Sequence, residues 1–147
     1  MPPPVADETV GEYSFVALVG LRAEGPIGIF KAVQKGLRFS ALETFQHRSG
    51  LSTAELADAV VIPVRTLARR KEQGRLEPEE SDRLLRVARV FAKALDLFEG
   101  DAVGARAWLA GAQRALGGER PLVLARTDLG AREVEALADR LEHGVLT

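Results

Sequence analysis

The 147-residue chain contains no cysteine. That excludes disulfides and thiolate metal sites, and it fits a reducing compartment. Histidine is almost as scarce: His47 and His143 have no metal-ligand spacing, and neither belongs to a recognisable catalytic arrangement. Aromatic residues make up only 5% of the chain, a scarcity that favours helix. No apolar run approaches the roughly 20 residues of a membrane span. The segment "YSFVALVGL" is short, follows an acidic start and lacks a basic leader, so no signal peptide is expected. These absences point to a cytoplasmic protein with no cofactor, no metal and no catalytic site.

What is abundant is Ala, Leu, Arg and Glu, which favours helix. Hydrophobic residues form 46% and charged residues 28% of the chain, ordinary values for a globular domain. Net charge is −1, but it is unevenly spread. Met1–Leu76 holds ten Lys/Arg against eight Asp/Glu, and Glu77–Thr147 holds ten against thirteen. The excess positive charge sits in "VRTLARRKEQGRL", where Arg65, Arg69, Arg70, Lys71 and Arg75 face one acid, Glu72. The positive charge is therefore a local patch and not a general field.

Helix punctuation is regular from Pro26 onward. The Pro-rich start "MPPPVADETVGE" reads as disordered, and residues 1–25 as a flexible arm, with a short strand near Phe15–Val19. "PIGIFKAVQKG" opens on Pro and closes on Gly. Ser40 with Glu43 predicts a capping box for "ALETFQHRSG", and Ser52 with Glu55 a second for "TAELADAVV". Pro63 starts a further helix that Gly74 stops. "PEESDRLLRVARVFAKALDLF" repeats Leu84, Leu85, Ala88, Phe91, Ala92, Leu95 and Phe98 at helical spacing. "DAVGARAWLAGAQRAL" predicts one helix capped by Asp101. "GGERPLVLARTDLG" reads as a connector with an extended piece at Leu122–Ala125. "AREVEALADRLEHG" predicts the last helix, with Val134, Leu137, Ala138 and Leu141 inward. The expected class is all-α.

Ser52 to Gly74 thus reads as helix, tight turn, helix, the layout of a DNA-binding helix-turn-helix. Leu51, Leu56, Ala57, Val60, Ile62 and Leu67 supply its apolar contacts. Arg65, Thr66, Arg69, Arg70, Lys71 and Arg75 are the candidate DNA contacts, because a guanidinium binds guanine edges and phosphates alike. A solvated basic helix face explains the same residues without DNA.

The stretch "RTLARRKEQGRLEPEESDRLLRVAR" resembles the most characteristic run of the Xre–MbcA–ParS antitoxins. "AWLAGAQRALGGERPLVLARTDLGAREVEALADRLEHGV" is similar to their C-terminal toxin-binding region, through Trp108-Leu109, Ala115 to Gly118, Pro121-Leu122, Thr127, Gly130 and His143-Gly144. One departure is "GAQR", where family members often carry a Pro-Asn-type turn. The resemblance implies an Xre/Cro-like helix-turn-helix domain at 26–99, packed on a small helical toxin-binding domain at 100–147. It implies the Xre antitoxin of a RES–Xre type II pair: a partner to a RES-domain toxin that uses NAD, binding operator DNA and repressing its own promoter. A homodimer is the expected DNA-binding unit, because one such helix reads too few base pairs alone. It also implies toxin contact through Gly117, Gly118, Pro121, Leu122, Arg140, His143, Gly144, Val145, Leu146 and Thr147, with Arg140–Thr147 at the toxin's NAD cleft. From the residues alone other readings stay open. Trp108 and Leu109 suit a core, Gly117-Gly118 a turn, and His143 a partner for the last helical carbonyls. A stand-alone helix-turn-helix regulator, with a dimerising or ligand-binding C-terminal region, is the alternative function.

Overall fold

The computed structural model describes residues 14–22 and 25–144. Eight α-helices follow in order: α1 (Gly25–Lys35), α2 (Phe39–Ser49), α3 (Thr53–Val60), α4 (Val64–Gln73), α5 (Pro78–Leu97), α6 (Ala102–Ala110), α7 (Pro121–Leu124) and α8 (Asp128–Glu142). Two 3-10 helices, Ser14–Val19 and Arg114–Leu116, complete the elements. Among the described residues there is no strand, so the all-α expectation holds.

The central element is α5, about 30 Å long at 1.5 Å per residue. Glu77 and Glu80 form its capping box, and Pro78 occupies the first turn. Leu84, Val87, Ala88, Val90, Phe91 and Ala94 are buried all along it. It packs against α1, α2, α3, α6, α8 and the first 3-10 helix. Phe91 meets Phe45 of α2 edge-to-face, with ring centroids 5.7 Å apart, an arrangement the ring quadrupoles favour. On the other side α8 contributes Ala131, Val134 and Ala138, all fully buried. One continuous core therefore runs from Phe15 to Val134.

Two expected extended pieces are helical instead. Ser14–Val19 is a 3-10 helix that buries Phe15 and Val19. Leu122–Leu124 belongs to α7, a single turn opened by Pro121 and capped by Ala125, whose N–H donates to the Pro121 carbonyl. The reason is shared. Among the described residues no strand lies alongside to offer partners, so a local helical turn is what satisfies the backbone.

Helix bounds shift in three more places. The Ser40/Glu43 box does not form. Helix α2 begins at Phe39, whose N–H donates to the Gly74 carbonyl at 2.9 Å. The helix from Asp101 stops at Ala110 because Gly111 turns extended. Helix α8 begins a turn earlier than expected, capped by the Thr127 hydroxyl accepting from the Gly130 N–H. Glycine is required at 130, since a Cβ there would run into the Leu124 carbonyl.

Candidate functional site

The α3–α4 pair is built from caps and one turn. Ser52 accepts from the Glu55 N–H at 3.1 Å, and Glu55 accepts in return from the Ser52 N–H at 2.9 Å. The Ser52 backbone N–H, with help from its hydroxyl, holds the Glu55 carboxyl below the usual carboxylate range. Val61 ends α3 in the left-handed region, with φ 56°. The Ile62 N–H then donates back to the Ala57 carbonyl, and Ile62 is buried. Arg83 of α5 reaches the same turn: its Nε donates to the Val60 carbonyl at 2.7 Å. A basic side chain thus satisfies a helix-end carbonyl that would otherwise lack a partner. All six residues expected to lock the pair — Leu51, Leu56, Ala57, Val60, Ile62 and Leu67 — are buried.

The far end of α4 is clamped as well. Gly74 closes it at φ 80°, and Arg75 pairs with Arg38 in an isolated antiparallel bridge. The Leu76 N–H donates to the Leu37 carbonyl at 2.8 Å. Buried Ser81 accepts from the Leu37 N–H and donates to the Glu77 carbonyl. The helix is therefore fixed at both ends on a rigid base.

Its outer face carries Val64, Arg65, Ala68, Arg69, Lys71 and Glu72, all exposed. Arg65 and Arg69 lie one turn apart and make no ion pair among the described residues. Lys71 lies 3.9 Å from Glu43, with both side chains mostly in solvent. The remaining candidates sit differently. Thr66 is half-buried beside Leu67. Arg70 turns inward: its Nε donates to Glu80 at 2.8 Å and its Nη1 to Gln73 at 3.1 Å. Burial pushes the Glu80 carboxyl up, but the Arg70 hydrogen bond and the Glu77 N–H outweigh it and leave it below the usual range. Arg75 donates to the Gly36 carbonyl. The expected set of six thus divides into three outward cations (Arg65, Arg69, Lys71), half-buried Thr66, and Arg70 and Arg75 engaged in holding the helix.

The C-terminal elements form the second surface. Trp108 is half-buried against the core and Leu109 fully buried. The "GAQR" loop is shaped by Gln113, whose side-chain amide donates to the Trp108 carbonyl at 3.0 Å. The Gly118 N–H donates to the Gln113 carbonyl, folding the turn back on itself. Gly117 and Gly118 are exposed at the tip, both at positive φ. Pro121 is buried, and Leu122 packs partly on the core. Their side chains support the surface more than they form it. One side of α8 is locked to α5: Arg89 pairs with Glu135 at 2.6 Å and Lys93 with Asp139 at 2.9 Å. The Asp139 hydrogen bond holds the Lys93 ammonium above its usual range despite burial. The other side presents Leu129, Glu133, Ala136 and His143 to solvent, with Arg140 half-buried beside them. His143 Nδ1 lies 2.8 Å from the Asp139 carbonyl, the helix-end role expected of it. Gly144 follows at φ 70°. Val145, Leu146 and Thr147 lie outside the described residues.

Residues 29–89 match the antitoxin Xre-like helix-turn-helix domain. Residues 93–144 match the antitoxin Xre/MbcA/ParS C-terminal toxin-binding domain. The chain is 36% identical over 130 residues to Antitoxin Xre from Yersinia enterocolitica serotype O:8 / biotype 1B, covering 88% of each chain. The chain belongs to the Xre antitoxin family. A second relative, Antitoxin Xre from Photorhabdus laumondii subsp. laumondii, is 31% identical over 116 residues, 78% of each chain. In this Xre-family antitoxin the boundary between the two matched regions falls inside α5, between Arg89 and Lys93. Both regions therefore share one helix and one core. Two contributions to the site escape sequence reasoning: the Arg83 grip on the turn, and the Arg126–Asp58 ion pair joining the two regions. Neither leaves a local sequence signal, since each partner pair is separated by more than twenty residues. Among the described residues no helix is long and apolar enough to cross a membrane.

Proposed function

We propose that this antitoxin neutralises a RES-domain, NAD-consuming toxin by covering its active site, and represses its own promoter as a cytoplasmic homodimer. The observation that carries this reading is the separation of two exposed surfaces on one rigid frame. Arg65 and Arg69 extend from the helix that a helix-turn-helix protein lays in the major groove. The solvent side of α8 carries Arg140 and His143 toward the chain's last residues. A carboxylate or phosphate in a toxin cleft is a natural partner for such a guanidinium. Thr66, Arg70, Lys71 and Arg75 remain assigned to the DNA side, Arg70 and Arg75 by holding the helix in place. Gly117, Gly118, Pro121, Leu122, Gly144, Val145, Leu146 and Thr147 remain assigned to the toxin side. Dimerisation follows from reach, because one recognition helix reads too few base pairs alone.

The test separates the two activities. A variant ending at Glu142 is co-expressed with the RES-domain protein, and cellular NAD, folding and DNA binding are measured independently. The expected result is a folded protein that binds DNA and fails to protect NAD. Full protection by the folded, shortened chain would remove His143 to Thr147 from the toxin contact. A RES-domain protein that neither copurifies with the full-length antitoxin nor is inhibited by it would sink the reading altogether.

A further inference from the structure

Beside the arginine row of α4 runs a second row that charge does not explain. Val64 and Ala68 are one turn apart, on the same outward face as Arg65 and Arg69. Val64 is 53% exposed although it stands at the first position of the helix, and Val61 in the turn before it is 49% exposed. Two β-branched side chains in solvent add little to this fold, since Leu67 is the side chain that α4 buries in the core. With Pro63 they form a small apolar step at the N-terminal end of the helix, lining a shallow hollow edged by Arg126 and Asp58. The face is therefore apolar on one flank and cationic on the other.

A duplex offers a complementary pair of features. In the major groove the apolar group is the thymine 5-methyl, and guanine supplies the acceptors a guanidinium reads. The N-terminal residues of the recognition helix are the ones that reach base edges. The geometry points to Val64, with Ala68 behind it, as the residue that selects thymine in each half-site by packing on its 5-methyl group. This rests on the DNA-binding reading above and adds a specificity determinant to it. The flanking arginines favour a nucleic acid over an apolar protein surface as the occupant.

The experiment uses the full-length antitoxin and a random-sequence duplex pool. Retained sequences are enriched, and each thymine of the recovered motif is then replaced by deoxyuridine, which removes the 5-methyl alone. Loss of one buried methyl weakens binding about fourfold. The expected result is such a loss at one or two thymines per half-site. In Val64→Ala that loss shrinks toward onefold while the salt dependence is unchanged. Val64 is exposed, so this variant keeps its fold. Ala68→Ser serves as the second variant, and it should reduce the same methyl effect less. Uracil tolerated at every position, a methyl effect that survives in both variants, or salt-sensitive binding with no enriched sequence would each overturn the thymine contact alone. No duplex retained even at low salt would overturn the DNA-binding reading, and the contact with it.

Discussion

Val61 holds a β-branched side chain at φ 56°, where an L-residue pays roughly 1–2 kcal/mol and glycine does not. The turn keeps this conformation because Ile62 is anchored in the core and Arg83 grips the carbonyl of Val60. Val61→Gly is expected to stabilise the protein by about 1 kcal/mol after the entropic cost of glycine, raising Tm by about 3 °C. A lower Tm in thermal melts would show that the strain is already relieved by packing. Glu80 gives a second test. Its folded-state pKa lies below the ordinary 4.5, so its contribution is complete above that pH and is lost as pH falls through the folded value. Glu80→Gln should flatten this part of the acid limb, measured as denaturant midpoint against pH. An unchanged acid limb would assign the loss to other carboxylates. Both residues mark a limit of sequence reasoning. Arg65 and Arg70 look equivalent in "VRTLARRK", because charge and spacing do not reveal that a carboxylate ten residues later turns one of them inward.

Helices with both a periodic apolar face and a chemical stop are legible in the sequence. The box of Ser52 and Glu55, the left-handed Gly50 and Gly74, and the Pro63 start all stand where their residue types demand. Short elements are not legible, because four to six apolar residues carry too few periods to separate helix from strand. Ser14–Val19 and Pro121–Leu124 both fall in that class. Ser40 fails as a cap for another reason. A backbone bond to Gly74 carries the chain into α2 earlier, which no local pattern records. For α4 the division of cations gives distinct expectations. Arg65→Ala and Arg69→Ala should each flatten the salt dependence by about one unit where the guanidinium meets phosphate. Where it meets a base edge, the variant should instead relax sequence choice by about 1–3 kcal/mol. Quantitative DNA-binding titrations across salt concentrations decide between the two. Operator binding that is untouched in the double variant would remove α4 from the interface. Arg70→Ala should act differently, lowering thermal stability by leaving Glu80 unpaired, with a DNA effect only through the position of α4.

The two matched regions meet within α5, and this arrangement decides how the chain unfolds. Phe91 packs on Phe45 from the first region, while its helix also receives Val134 and Ala138 from the second. The Arg89–Glu135 ion pair, together with Arg106 of α6 donating to the Ser49 carbonyl, crosses the same boundary. Neither region keeps its buried face dry without the other. Both regions are therefore expected to unfold together. Urea unfolding of the full chain should show one transition, coincident by far-ultraviolet circular dichroism and Trp108 fluorescence. Phe91→Ala should cost about 3–5 kcal/mol, as removal of a fully buried ring does, and should move both signals together without separating them. Two resolved transitions in the parent chain would contradict a shared core. So would a Phe91→Ala variant in which the Trp108 signal keeps its original midpoint, because the C-terminal helices would then be holding themselves up without α5.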